Sequence, residues 1–351
     1  MKSVILGKKE LPIPLIQGGM GIGVSRCRLA GAVAKEGGMG VISTAQIGYD
    51  EPEFYKHPEA CNLKVLPDQI RKAKEISEGK GMVGVNIMVA TKDYGAYVKT
   101  ACEAGVDAII SGAGLPTELP LYAEGYETAL APIVSSRKSA EVILKYWDRK
   151  YHRTADFLVI EGPKAGGHLG FSREDLAKYN DLDYDAEICS ILEVKKNYEE
   201  KYGAAIPVFV AGGIFTAEDV QHVLKLGADG VQAASRFVAT EECDASDAYK
   251  QAYVDAKEED VVIIDSPVGM PGRAIRNTFI RSIEGKNEKI THCFQCLKAC
   301  NPAKAHYCIT KALINAVEGN LNEGLIFCGS RIGEIREIST VAQVIKELFH
   351  E

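Results

Sequence analysis

The chain has 351 residues, 46% of them hydrophobic and 25% charged, an ordinary globular composition that suits one large α/β barrel with an appendage, or two domains. A net charge of −7 without a basic run argues against a nucleic-acid surface, and no apolar run is long enough to span a bilayer. The opening MKSVILGKKELPIPL lacks the apolar core and cleavage site of a secretion signal, so a soluble cytoplasmic protein is expected.

Short apolar runs alternate with amphipathic segments through most of the chain. The strand candidates are Leu15–Gln17, Gly40–Ser43, Val83–Val89, Ala108–Ser111, Leu130–Val134, Phe157–Glu161, Pro207–Ala211 and Gly230–Ala234. Continuous apolar runs of this length are typical of parallel strands buried on both faces. Between them lie helical patterns such as Arg26–Glu36, Tyr94–Ala104, Ser139–Trp147 and Ala217–Leu226, the last capped by Thr216 and ended by Gly227. Eight such units predict an α/β fold of the TIM (β/α)8 type over residues 1–240. Glu51–Arg71, with Pro52, Pro58 and Pro67, reads as a loop over the barrel mouth. Residues 241–334 are expected to form a smaller C-terminal helical domain, a lid over the substrate. It would hold helices at Asp247–Ala256 and Ile309–Val317 and a loop-rich stretch, Val261–Arg276. The last segment, about 335–351 with its amphipathic Thr340–Phe349, should return to the barrel as a closing helix.

The chemistry is expected at strand ends. Phe157–Phe171, FLVIEGPKAGGHLGF, runs an apolar strand into a glycine-rich turn carrying one histidine, His168. Gly166, Gly167 and Gly170 would let a flat ligand press against bare backbone; the plain alternative is a tight turn with a surface histidine. Strand seven ends in Ala211-Gly212-Gly213-Ile214 and strand eight in Gln232-Ala233-Ala234-Ser235-Arg236, the two loops where barrels hold phosphate. The amides of Gly212 and Gly213 and the amide and hydroxyl of Ser235 could meet its oxygens, unless these are ordinary turns. Strand one ends in Gln17-Gly18-Gly19-Met20-Gly21, and Asn86 is a polar residue inside an apolar strand. The edge of an isoalloxazine would supply its hydrogen-bond partners; a structural asparagine satisfied by backbone is the alternative. Met20 suits either a ring face or the core.

QGGMG, VGVNIM, SGAG (Ser111–Gly114), EGPKAGGHLG, VFVAGGI and QAASRF fall in an order that resembles the nitronate monooxygenase (2-nitropropane dioxygenase) family, which includes the FMN-dependent enoyl-ACP reductase II group. The likeness runs over residues 10–280 and, more weakly, the final helix. It implies FMN held by Gly18, Gly19, Met20, Asn86, Glu161, Gly166, Gly212, Gly213, Gln232 and Ser235, with His168 as the catalytic residue. It also implies an activity: oxidation of alkyl nitronates with O2 or, alternatively, reduction of an enoyl thioester with NAD(P)H as electron donor. His168 would stabilise the nitronate as imidazolium, deprotonate a nitroalkane, or polarise a carbonyl. A flavin-binding redox sensor is a reading of another class. Three residues depart from the family pattern: Lys164 replaces a frequent acidic residue, Ala234 a glycine and Ser235 a threonine. Arg273 could grip a substrate anion or form a surface salt bridge, and Tyr307 is undecided.

Of ten cysteines, Cys27, Cys61, Cys102, Cys189 and Cys243 are scattered, whereas Cys293, Cys296, Cys300 and Cys308 form a C-x2-C-x3-C-x7-C run, with Cys328 beyond it. That spacing fits a [4Fe–4S] cluster, structural Zn held by four thiolates or by three with His292 or His306, or unliganded thiols. A cluster would favour an anaerobic reductase. The expected partner is a small-molecule substrate, with no nucleic acid and no membrane; homodimer formation is left open.

Overall fold

The computed structural model describes residues 2–181 and 184–349. Eight parallel strands close into a barrel: β1 (Leu15–Gln17), β2 (Met39–Ser43), β3 (Met82–Met88), β4 (Ala108–Gly112), β5 (Ala129–Val134), β6 (Leu158–Glu161), β7 (Val208–Ala211) and β8 (Gly230–Ala233). Each pairs with its neighbour in sequence, and β8 returns to β1 with Val231 opposite Leu15. All eight fall within a residue of the runs read from sequence.

Alternation along each strand builds two cores. Ile16, Met39, Val41, Ala108, Ile110, Val159 and Phe209 fill the barrel interior, joined by Leu6 and Leu11 of an N-terminal hairpin. Leu15, Ile42, Val85, Ile109, Leu158, Ile160 and Val231 face outward and pack under the helices. Burying each such side chain contributes about 1.5–3 kcal/mol, so the apolar runs could not remain exposed. Thr216 caps the Ala217–Lys225 helix as expected, in a capping box with Asp219.

Two expectations are corrected. Glu51–Arg71 is not a loop throughout, because a helix spans Pro58–Ser77. Pro58 occupies its first turn, where an amide has no partner to lose. Pro67 lies inside and costs a hydrogen bond, but Val65, Leu66, Ile70 and Ala73 bury against the barrel layer and offset that cost. Gly31 permits the approach, since a Cβ there would lie 2.6 Å from Ile76 Cβ. Val261–Arg276 is likewise no loop but an antiparallel hairpin, β9 (Val261–Asp265) and β10 (Pro271–Ile275). Pro267 and Gly269 mark its turn, and Pro271 stands at the first position of a strand, where its missing amide is tolerated.

The C-terminal part is therefore not purely helical. Helices Asp247–Asp255, Thr278–Ile283 and Ile309–Glu318 surround the hairpin, and β10 pairs with the two-residue strand Gly167–His168. Val341–Phe349 packs against helices Cys27–Lys35 and Ala217–Lys225; the last two residues of the 335–351 segment lie outside the described residues. Among the described residues no helix is long and apolar enough to cross a membrane.

Candidate active site

The carboxyl ends of the strands open into a cavity of about 660 Å³. All eleven residues singled out from sequence for cofactor and catalysis line it: Gly18, Gly19, Met20, Asn86, Glu161, Gly166, His168, Gly212, Gly213, Gln232 and Ser235. Backbone geometry explains several glycines. Gly212 and Gly213 have φ of +95° and +87°, which a residue with a Cβ adopts only under strain. Among the described residues their amides have no protein partner. Ser235 Oγ accepts the Gly329 amide at 2.9 Å, which leaves the serine proton free to donate. Two bare amides and a free hydroxyl proton fit a phosphate group.

The Asn86 side-chain amide has no protein partner among the described residues, so it is not a backbone-satisfied structural asparagine. It lines the cavity, and Gly19 must be bare because a Cβ there would lie 2.7 Å from Asn86 Cβ. Gln232 is a second cavity-lining amide without a partner among the described residues. Donors and acceptors left open around one apolar-floored space match what a flavin edge presents. Glu161, at the end of β6, is pushed up to about 7 by burial, so near neutrality it is partly protonated.

The glycines around His168 answer to the protein more than to a ligand. A Cβ on Gly166 would sit 2.6 Å from the Cys328 carbonyl carbon, and one on Gly170 would lie 2.9 Å from Ser135 Oγ. Gly167 has φ of +71° and open space around it. His168 itself is no loose turn residue: it pairs with Gly272, and the adjacent Leu169 amide bonds the Pro271 carbonyl at 2.8 Å. Its Nε2 lies 2.7 Å from Ser266 Oγ, and the Phe327 ring packs edge-on at 4.9 Å. Burial pulls the imidazole down to about 4, so it is neutral at pH 7 and the imidazolium role expected of it is not its resting state here.

Arg273 takes neither expected role. It is buried, and its guanidinium donates to the backbone carbonyls of Pro163 and, at the other nitrogen, Ala165. It thus ties β10 to the loop that carries His168. Tyr307 is buried beside Phe279. Sequence reading missed Phe327, Gly329, Ser330 and Arg331 in the cavity wall, and Ser266 behind the His168 ring. Arg331 donates to the Gly213 carbonyl at 3.2 Å and pairs with Asp219, the capping residue of the following helix. No motif marks these residues, since they reach the site only through tertiary packing.

The cysteine run is not assembled as a ligand set. Cys293, Cys296, Cys300 and Cys308 share one neighbourhood, and Cys296 lies in the cavity wall. Yet among the described residues no group of three or more His, Cys, Asp or Glu side chains is placed to hold a metal ion. Neither the [4Fe–4S] nor the Zn expectation fits this arrangement, and no chemistry is derived through a metal.

A closed parallel barrel with a glycine-built cavity at the strand ends, apolar-floored and edged by open polar groups, is the architecture of a barrel enzyme with a small-molecule site. The nitronate monooxygenase family model matches residues 2–351, and the chain belongs to that family of oxidoreductases. A probable nitronate monooxygenase of Staphylococcus saprophyticus is 25% identical over 82% of this chain and 82% of its own length. The (3aS,4S,5R,7aS)-5-hydroxy-7a-methyl-1-oxo-octahydro-1H-indene-4-carboxyl-CoA dehydrogenase of Mycobacterium tuberculosis is 27% identical over 77% of this chain, but the match spans only 65% of that enzyme. The solved structure of FabK from Thermotoga maritima aligns with a TM-score of 0.70 at 28% identity, covering 96% of this chain and 91% of that one.

Proposed function

We propose that the chain is an FMN-dependent oxidoreductase that oxidises alkyl nitronates with O2. The observation that carries this reading is one cavity joining His168 to the unpartnered amides of Gly212, Gly213, Asn86 and Gln232. Gly212, Gly213 and Ser235 would hold the phosphate; Asn86 and Gln232 would meet the edge of the ring, with Gly18, Gly19, Met20, Glu161 and Gly166 around it. FMN bound there supplies an acceptor for electrons from the substrate and, once reduced, a reductant for O2. The residues of the chain bind and orient. Neutral His168 directs a ring nitrogen at the substrate, and the hairpin and Phe327 keep water from that side.

A second reading rests on the far wall. Val268, Leu297, Ile309, Leu313 and Phe327 give the cavity an apolar side larger than a small nitronate needs. That side favours an enoyl thioester reduced at the expense of NAD(P)H, with His168 polarising the carbonyl. Anaerobic mixing separates the two readings. FMN-loaded protein should bleach on adding propyl-2-nitronate, and His168→Ala should keep its yellow colour but lose about 100-fold or more in turnover. Bleaching only by NADH or NADPH, followed by reoxidation with crotonyl-CoA, would overturn the first reading for the second. Protein that takes up no FMN would end both.

A further inference from the structure

We propose that Ser266, backed by Tyr307, fixes the His168 imidazole in one tautomer, with its proton on Nδ1 and Nε2 as acceptor, so that His168 meets substrate as a hydrogen-bond donor and not as a base. The proposal rests on the placing of His168 at the substrate made above. It begins from the bonding capacity of one hydroxyl. A serine has one proton to give and two acceptor positions. The Ser266 Oγ accepts the Val268 amide at 3.3 Å inside the β9–β10 turn, which fills the first acceptor position. It lies 2.7 Å from His168 Nε2.

Tyr307 decides the rest. Its phenol is 1% exposed, packed edge-on against Phe279, and its oxygen is buried without a formed hydrogen bond. No hydrogen bond joins it to Ser266 as the side chains stand, but the Ser266 hydroxyl is the neighbouring side-chain group able to accept from it. Two arrangements are open. In one, Tyr307 donates to the second acceptor position of Ser266, and the serine must then donate to Nε2. In the other, Nε2–H donates to Ser266 and the serine donates to Tyr307, which strands the phenol proton in an apolar site. Stranding a buried donor is the costlier choice. The first arrangement strands no buried proton and leaves the neutral ring its proton on Nδ1.

Nδ1 has no protein partner among the described residues, is not sealed from solvent, and belongs to a residue lining the cavity. The ring cannot turn freely, because its backbone pairs with Gly272 and Phe327 packs against its edge. Among the described residues no anionic partner faces it to stabilise a second proton; burial sets its low proton affinity. Among charged neighbours on the hairpin, Asp265 pairs outward with Arg173, and Arg273 is spent on the Pro163 and Ala165 carbonyls. A donor at Nδ1 suits an oxygen that is already anionic or carbonyl-like. It cannot take the α-proton of a neutral nitroalkane.

The tautomer is read directly by ¹⁵N NMR of FMN-loaded protein labelled in its seven histidines, with His168→Asn assigning the signals. At pH 7, His168 should show a protonated Nδ1 and an unprotonated Nε2. Ser266→Ala should give a mixture of tautomers, Tyr307→Phe should move Nε2 towards its protonated signal, and Ser266→Thr should restore the wild-type pattern. Kinetically, Ser266→Ala should lower kcat about tenfold with little change in KM, the signature of a positioning group. Should His168→Asn not fold, the Ser266→Ala and Tyr307→Phe shifts identify the same signals. An Nε2-protonated ring or an imidazolium in the wild type would overturn the proposal. A wild type that shows the Nδ1–H tautomer but leaves nitronates and enoyl thioesters untouched would instead sink the functional reading and spare this one.

Discussion

The barrel and the segment that follows it build opposite sides of one cavity by different means. Each barrel strand is an apolar run whose partner is the next such run, so local pattern and global pairing agree. The hairpin β9–β10 and the Gly329–Arg331 segment instead acquire their roles from residues a hundred or so positions away. Arg273 reaches Pro163 across a sequence separation of 110, and Gly329 reaches Ser235 across 94. The half of the cavity proposed for the cofactor is thus built by repetition, and His168 is positioned by long-range contacts that no repeat announces.

Breaking the barrel side should have the largest effect. Gly212→Val puts a branched side chain at φ +95°, with its Cβ 3.0 Å from the Ala165 amide nitrogen and 3.0 Å from the Gly162 carbonyl oxygen. Strain and lost amide contacts together should weaken FMN binding on the order of a hundredfold or more, equivalent to about 3 kcal/mol. Fluorescence titration of the apoprotein measures it; unchanged affinity would remove Gly212 from the cradle. Breaking the other side comes next. Arg273→Leu strands the Pro163 and Ala165 carbonyls and should cost about 2–3 kcal/mol in urea unfolding. It should depress turnover more than FMN affinity, because the loop it ties carries His168 and not the phosphate turn. Equal losses in both would erase the distinction between the two sides.

These contrasts explain what was legible. The eight strands and the Thr216 cap were readable from local pattern, and Gly212, Gly213 and Asn86 from a glycine pair and a polar residue in a buried strand; the full set of eleven cavity residues, Glu161 among them, came from the family resemblance. The Pro58–Ser77 helix was missed because its prolines outweighed a buried apolar stripe, visible only once the neighbouring helix Cys27–Lys35 is known. Arg273 was misjudged for the same reason. A lone arginine in sequence looks like a surface cation or an anion grip, and only the fold supplies two carbonyls to satisfy it.

Glu161 sharpens the comparison with a smaller effect. Burial raises its folded-state value to about 7, above the ordinary carboxylate, so the folded protein holds this proton more tightly than the unfolded chain does. The resulting stabilisation is complete below about pH 4.5 and is lost as pH rises through about 7. His168 works in the opposite sense: its value near 4 makes stability fall as pH drops from about 6.5 towards 4. FMN-free protein should therefore be most stable between these limits. Glu161→Gln should remove the loss on the alkaline side, a gain on the order of 2 kcal/mol at pH 8 relative to wild type. Matching pH profiles for the two proteins in urea unfolding would show that Glu161 is not the titrating group.

The smallest effects belong to the cysteine run, where spacing and geometry disagree. Thiols brought into one neighbourhood without forming a ligand group have little to lose individually. Cys293 is exposed, so Cys293→Ser should change stability by no more than about 0.5 kcal/mol and leave FMN affinity unaltered. Cys296→Ser, in the cavity wall, should alter substrate KM before it alters folding. Anaerobically purified protein should then carry iron and zinc well below one per chain. Stoichiometric iron with acid-labile sulfide, lost together in Cys293→Ser, would show that the segment rearranges around a cluster. The far wall of the cavity would then be an electron-transfer surface, not an apolar lining.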